Sequence, residues 1–312
     1  MTELPRERIK NILSFLFLSA MFFILLHAEE CRKDLQDGLR LCAENVIPSL
    51  FPHLVLSELF VSNLSFSKKD TLFSRFFFRL FRLPSASSSI MLVGMICGFP
   101  IGARLASKFY REGILDQREA ELLCAYANNT GPAFVISGVG VALFGSLKIG
   151  ILFFFSEIAA AFFCLFFSSF FRSKKEKRSA PLSCPCMPSV SFVETVRIGS
   201  VAMLNICGFI LFFSLLSGMF CRIFSRFSLL FSAILEVTSA CKNASFIAPF
   251  AREKACYFAV FSIGFGGLSA GLQSALSMKE SNLRFRFYLP RKLIQGILSL
   301  FFFLLLTEAV GI

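Results

Sequence analysis

Residues 117–145 run QREAELLCAYANNTGPAFVISGVGVALFG, an apolar stretch long enough to cross a bilayer but interrupted at Asn128-Asn129-Thr130-Gly131-Pro132. Pro132 removes a backbone donor and Gly131 permits a turn, so a helix must open there. Backbone opened inside hydrocarbon costs several kcal/mol unless it is buried or hydrated. A break of this composition therefore belongs to the interior of a polytopic membrane protein, and the rest of the chain can be tested against that idea.

Composition agrees. The chain has 312 residues, 55% of them hydrophobic, with 43 Phe and no Trp, and its mean hydropathy is +0.70. Charged residues make up 17%, against roughly 25% in soluble domains. Disordered chains, secreted disulfide scaffolds and most soluble enzymes are excluded. The net charge of +12 is read through the enrichment of Lys and Arg in cytoplasmic loops. Nucleic acid is not an expected partner, because the aromatics lie in apolar runs. Most Cys residues also lie in such runs. Only Cys184-Pro-Cys186 forms a close pair, with no His beside it, so neither a metal site nor a cofactor is expected.

Outward from the break, the run 11–28 reads as an uncleaved helix rather than a signal peptide, since Leu26-His27-Ala28 is a poor cleavage end. A span at 38–61 follows, interrupted by Pro48 and Pro52. Residues 66–83 form an amphipathic helix in which Arg75, Arg79 and Arg82 recur at helical spacing beside Phe residues. Such a helix lies on an anionic membrane surface. The apolar stretch in 86–113 is broken at Gly98-Phe99-Pro100-Ile101-Gly102 and is too short to cross before that point, so it reads as a re-entrant hairpin. After the broken helix 117–145 comes an apolar span at 147–171 containing Glu157. A basic, Pro/Ser-rich linker occupies 172–191.

The second half follows the same order. A span at 192–221 precedes a second hairpin at 229–253, broken around Glu236-Val237-Thr238-Ser239-Ala240-Cys241-Lys242-Asn243. A helix at 254–278 is broken through Gly264, Gly266, Gly267, Ser269 and Gly271. After the basic residues Arg284, Arg286, Arg291 and Lys292, a last apolar run spans 293–309. The expected organisation is an N-terminal helix and outer loop (1–37), a first repeat (38–171), a cytoplasmic linker (172–191) and a second, inverted repeat (192–312). The fold class is all-α, with about seven transmembrane helices and two re-entrant hairpins. The positive-inside rule orients it with every main basic cluster inside except Arg222, Arg226, Arg252 and Lys254. Position 176 is expected inside and position 225 outside.

Inverted repeats with interrupted helices are the sequence signature of many secondary transporters. The candidate binding residues are those at the four breaks: Gly98, Pro100 and Gly102; Asn128, Asn129, Thr130, Gly131 and Pro132; Glu236, Thr238 and Asn243; Gly264, Gly266, Gly267, Ser269 and Gln273. Asn, Thr and Gln supply donors and acceptors, and Gly frees backbone carbonyls. Close helix packing by small residues is the alternative for each single Gly. Glu236 is the candidate for coupling to a proton or cation, with a Glu236–Lys242 ion pair as the alternative. Glu157 and Glu58 are further acids near or within spans. No zinc, phosphate-loop or nucleophile-elbow motif occurs, so no enzyme is expected.

Gly98-Phe-Pro-Ile-Gly-Ala-Arg104, Phe109-Tyr-Arg-Glu-Gly-Ile-Leu115, Ala127-Asn-Asn-Thr-Gly-Pro-Ala-Phe134, Leu235-Glu-Val-Thr-Ser239 and Gly264-Phe-Gly-Gly-Leu-Ser269 together resemble the YlbJ-type family of sporulation integral membrane proteins, over roughly residues 35–310. That family is grouped with the nucleoside-recognition or Gate domain, found also in concentrative nucleoside transporters and the membrane part of ferrous-iron transporters. The resemblance implies a transport-like scaffold, a role in spore-cortex formation, and a place in the forespore or mother-cell membrane. The expected partners are the lipid bilayer, a small solute or ion, and other sporulation membrane proteins.

Overall fold

The computed structural model describes residues 4–63, 72–84, 86–171, 191–224 and 227–310, which are helical with no strand among them. Positions 176, 225 and 226, the linker 172–190 with Cys184 and Cys186, and the start of the amphipathic segment at 66–71 lie outside the described residues.

Helix α1 (Leu4–Leu26) meets α2 (Ala28–Leu41) at His27. Helix α2 widens through a π-helical turn at Cys42–Val46 into α3 (Ile47–Asn63). The π-helical turn ends just before Pro48, whose missing N–H cannot bond back along an α-helix. The prolines expected to interrupt this span thus bend its hydrogen bonding without ending the helix, and Ala28–Ser62 is long and apolar enough to cross. Next come α4 (Leu72–Phe81), α5 (Ala86–Cys97) and α6 (Ile101–Arg111). Helix α7 (Gln117–Tyr126) starts at a reciprocal cap. Asp116 Oδ1 accepts from the Glu119 N–H and Glu119 Oε2 from the Asp116 N–H, both at 2.8 Å. A non-helical stretch at 127–131 separates α7 from a π-helix at Ala133–Val141. Helix α8 (Leu147–Phe170) closes this half.

The second half holds α9 (Phe192–Ile223), α10 (Ser228–Leu235), α11 (Val237–Ile247), α12 (Arg252–Phe265), α13 (Gly267–Glu280) and α14 (Tyr288–Val310). Helices long and apolar enough to cross a membrane number five among the described residues: Ala28–Ser62, Leu147–Phe170, Phe192–Ile223, Arg252–Glu280 and Phe285–Val310. Counting the bent pair Arg75–Phe81 and Ala86–Cys97, which turns through 94°, gives six. The about seven expected from sequence is larger for two reasons. The apolar part of α1 covers only Ser14–Leu26, and α7 carries Arg118, Glu119 and Glu121 into its first turns.

Helix α14 packs along α8 and α12 at the centre. Small residues allow this. A Cβ on Gly264 would lie 3.0 Å from Gly296 Cα and closer still to Ser299, so Gly264 serves helix contact. On the outside, Phe155, Phe167, Leu204, Leu293 and Phe301 are exposed, as lipid-facing positions should be. Arg222 is one of the basic residues expected to lie outside. Its guanidinium bonds Asp34 Oδ2 at 2.5 Å across α2 and α9, which offsets the charge.

Candidate functional site

In the first half the two breaks touch each other. Gly98 has φ +74°, and a Cβ there would sit 2.7 Å from the Gly131 nitrogen, so only Gly fits on both counts. The Phe99 N–H donates to the Asn129 carbonyl at 2.8 Å, and the Phe99–Pro100 peptide is cis. Gly94 and Gly102 clamp the Ala127 carbonyl from two sides, since a Cβ on either would overlap it. A narrow apolar crevice opens onto these tips, lined by His53, Cys97, Gly98, Phe99, Gly131 and Phe134 among others. The second half has its own meeting point. Gly267, at φ +73°, sits where a Cβ would be 3.2 Å from the Glu236 nitrogen and the Leu235 carbonyl oxygen.

Both of these second-half breaks are narrower than the sequence suggests. The hairpin opens only at Glu236, and α11 runs unbroken through Thr238 to Asn243 and on to Ile247. The following helix opens only at Gly266, which is left-handed at φ +79°. The Glu236 carboxylate caps α11, accepting from the Thr238 N–H at 2.8 Å and the Ser239 N–H at 2.6 Å. The Lys242 ammonium instead lies 6.0 Å from the Phe246 ring centroid, so the Glu236–Lys242 pair is not formed.

The halves meet in one buried polar cluster at residues 128–130. Asn128 Nδ2 donates to Ser274 Oγ at 2.6 Å and Tyr288 Oη at 3.0 Å, while its Oδ1 accepts from the Ala103 N–H at 3.4 Å. Asn129 Nδ2 donates to the Tyr126 carbonyl at 2.8 Å, and its Oδ1 accepts from Gln295 Nε2 at 2.7 Å. The Thr130 N–H donates to Glu157 Oε1 at 2.8 Å, and its hydroxyl donates to Glu157 Oε2. Lys292 Nζ reaches the Asn128 carbonyl at 3.3 Å, Asn129 Oδ1 at 3.5 Å and Gln295 Oε1 at 2.9 Å. All of these side chains are buried. The open backbone is therefore bonded by side chains of α8 and α14, through Glu157 and Lys292, and by the Phe99 N–H.

In the sequence Glu157 reads only as a further acid within a span, and four members are not among the binding candidates: Ser274, Tyr288, Lys292 and Gln295. The sequence groups Lys292 with the basic residues before the last apolar run, but it is only 2% exposed and its ammonium bonds groups in the interior. A signal existed. Tyr288, Lys292, Gln295, Gly296 and Ser299 fall at helical spacing on one face of α14, and all are buried. Other candidates lie apart from the cluster. Ser269 is buried, whereas Asn243, Gln273 and Pro132 are half-buried, and no side-chain hydrogen bond from Asn243 or Gln273 joins it.

A charged belt lies to one side of the cluster. Glu121, 1% exposed, accepts from Arg284 Nε at 2.9 Å and from the Arg284 N–H at 3.2 Å. That hydrogen bond raises the Arg284 proton affinity above its ordinary value. Arg291 donates to the Glu121 carbonyl at 2.9 Å, and Arg111 to Ser281 Oγ at 3.1 Å. At the edge of the first hairpin, Glu58 pairs with Arg104. Of the surface arginines, Arg75 and Arg79 are exposed on α4, and Arg82 ends the helix in the left-handed region at φ +53°. Phe77 and Phe81 of the same helix are buried.

No family model and no solved structure matches the chain. A curated protein does. The chain is 26% identical to the sporulation integral membrane protein YlbJ of Bacillus subtilis (strain 168), over 94% of this chain and 81% of the relative. With its all-helical architecture and several membrane-length helices, that near full-length similarity supports a YlbJ-type sporulation membrane protein.

Proposed function

We propose that the chain is a Gate-type permease that moves a small solute or ion across a forespore or mother-cell membrane during endospore cortex formation. Its two halves act as inverted repeats, with α5–α6 and α10–α11 as re-entrant hairpins entering from opposite sides. Access alternates as these hairpins move against the long helices. The observation that carries this reading is the buried cluster at Asn128-Asn129-Thr130. There an interrupted helix of one half is held by polar side chains of the other, at the point where a rocking scaffold would exchange partners. Ionisable groups at such depth tend to mark pathways. Glu157 and Lys292 join Glu236 as the groups that would respond to a proton or cation. Of the break residues, Gly98, Gly102, Gly131, Gly264 and Gly267 supply close backbone approaches around them, while Pro100 and Gly266 shape the turns.

A second reading rests on α4. Its exposed Phe76, Phe78, Arg75 and Arg79 make a surface for anionic lipid or another envelope protein, as a non-transporting assembly protein would need. Complementation of a deletion strain separates the two. The permease reading expects Asn129→Ala and Gln295→Ala to fail in sporulation at normal membrane abundance. If both support sporulation while Arg75→Glu/Arg79→Glu abolishes it, the assembly reading replaces it.

A further inference from the structure

The cluster contains a cation that the protein supplies itself. Lys292 is buried on α14 and faces three neutral oxygens: the Asn128 carbonyl, Asn129 Oδ1 and Gln295 Oε1, at 3.3, 3.5 and 2.9 Å. An ammonium has three donors and no acceptor, so donors and oxygens match in number. Main-chain carbonyls of an unwound helix, joined by side-chain amides, are also the ligands that hold alkali cations in interrupted membrane helices. Asn129 is oriented for this task. Its Nδ2 is turned away to the Tyr126 carbonyl at 2.8 Å, which leaves Oδ1 toward the ammonium. The anion that balances the site is one residue along, where Thr130 holds the Glu157 carboxylate with its N–H and its hydroxyl.

The stem of Lys292 matters as well. Its Cε lies 3.9 Å from where a Gly266 Cβ would be, so the side chain passes the second-half break to reach the first-half one. One residue thus runs beside one interrupted helix and bonds the other. Its neighbour Arg291 behaves differently and bonds the Glu121 carbonyl in the charged belt. A compact point charge on a flexible stem fits the oxygen cage, where a planar guanidinium fork would not.

We propose that the Lys292 ammonium is a tethered cation filling a monovalent-cation site built by the Asn128 carbonyl, Asn129 Oδ1 and Gln295 Oε1. The resting protein then needs no free alkali cation to hold its halves together, and removal of the ammonium opens a site for sodium, potassium or ammonium. This goes beyond the permease reading and stands on the cage geometry whether or not a solute crosses.

Thermal unfolding of the purified full-length chain in detergent tests it, with sodium, potassium, ammonium or choline chloride at equal ionic strength. The wild type should unfold at the same temperature in all four. Lys292→Ala should unfold earlier in choline and regain about 5 °C, saturably, in one of the small cations. Adding Gln295→Ala should abolish that gain. Lys292→Met keeps the apolar stem and is the second variant if Lys292→Ala cannot be purified. A wild type that itself responds to a small cation, a variant that responds to none, or a gain that survives Gln295→Ala overturns the proposal. So does failure of both variants to fold in every salt, because a free cation should replace the tethered one. Absence of any solute movement by the wild type, with the cation response of the variant intact, would instead count against the permease reading alone.

Discussion

Glu157→Gln is the most informative single change in the cluster. The Glu157 carboxylate accepts two hydrogen bonds from Thr130, one from the N–H at 2.8 Å and one from the hydroxyl. A Gln side chain keeps the shape and can keep both contacts, because a Thr hydroxyl accepts as well as donates. What it removes is the charge. Two charge-assisted bonds, worth about 1.5–3 kcal/mol each, become neutral ones worth about 0.5–1.5. The Lys292 ammonium is meanwhile left in the interior without its balancing anion, a loss that typically costs about 3–5 kcal/mol for a buried pair. The two groups are joined through residues 128–130 rather than in direct contact, so only a small part of that pair cost applies, and the expected total is about 3 kcal/mol, most of it from the two weakened bonds. For a chain of this length that is a fall of roughly 5 °C in unfolding temperature. The assay is a double-mutant cycle of wild type, Glu157→Gln, Lys292→Met and the double variant, unfolded thermally in detergent with choline as the only added cation. Removing both charges should cost less than the sum of the single losses by about 1–3 kcal/mol. Additive losses, or a Glu157→Gln variant as stable as wild type, would show that the two groups do not belong to one site.

Steric predictions follow from the clamp on the Ala127 carbonyl. Gly94→Ala and Gly102→Ala would each place a methyl on that oxygen, and should lower folded yield by fluorescence-detected size exclusion, with costs of about 3 kcal/mol or more. Gly113→Ala has φ +74° but open space, so it should cost only about 1 kcal/mol and keep normal yield. In the charged belt, Arg284→Ala should lower the unfolding midpoint, because it leaves the buried Glu121 carboxylate with fewer donors. In a Cys-free background, Glu176→Cys should label from the cytoplasm and Ser225→Cys from the other side. Finding both on one face would end the inverted-repeat account.

The chain displays its breaks plainly and hides their partners. Asn128 through Pro132, Gly98 and Gly266 announce themselves because Gly, Pro and Asn are poor helix formers in an apolar run, although a single Gly, such as Gly264, can also serve helix contact. The meeting of Gly98 with Gly131, and of Gly267 with Glu236, was not legible, since each needs two segments brought together in space. Lys292 shows the limit most clearly. It follows Arg291 at the edge of an apolar run, where a cation at the membrane boundary and a cation turned inward look alike. Only the buried face of α14, with Tyr288, Gln295 and Ser299, separates the two. Glu236 was recognised as a break, but its carboxylate caps the helix that follows. The composition alone suggested a break eight residues wide, because Thr, Ser and Asn are poor helix formers that a buried cap can nonetheless hold helical.

The central claim is that the cluster at 128–130 is a working transport site. In the native spore-forming host, the small-molecule and metal contents of forespore and mother cell should be compared in a deletion strain and in an Asn129→Ala/Gln295→Ala strain with normal membrane abundance. The account predicts the same metabolite or ion misplaced in both strains, which would also name the substrate class. Compartments that match wild type while spore formation still fails in the deletion would contradict it.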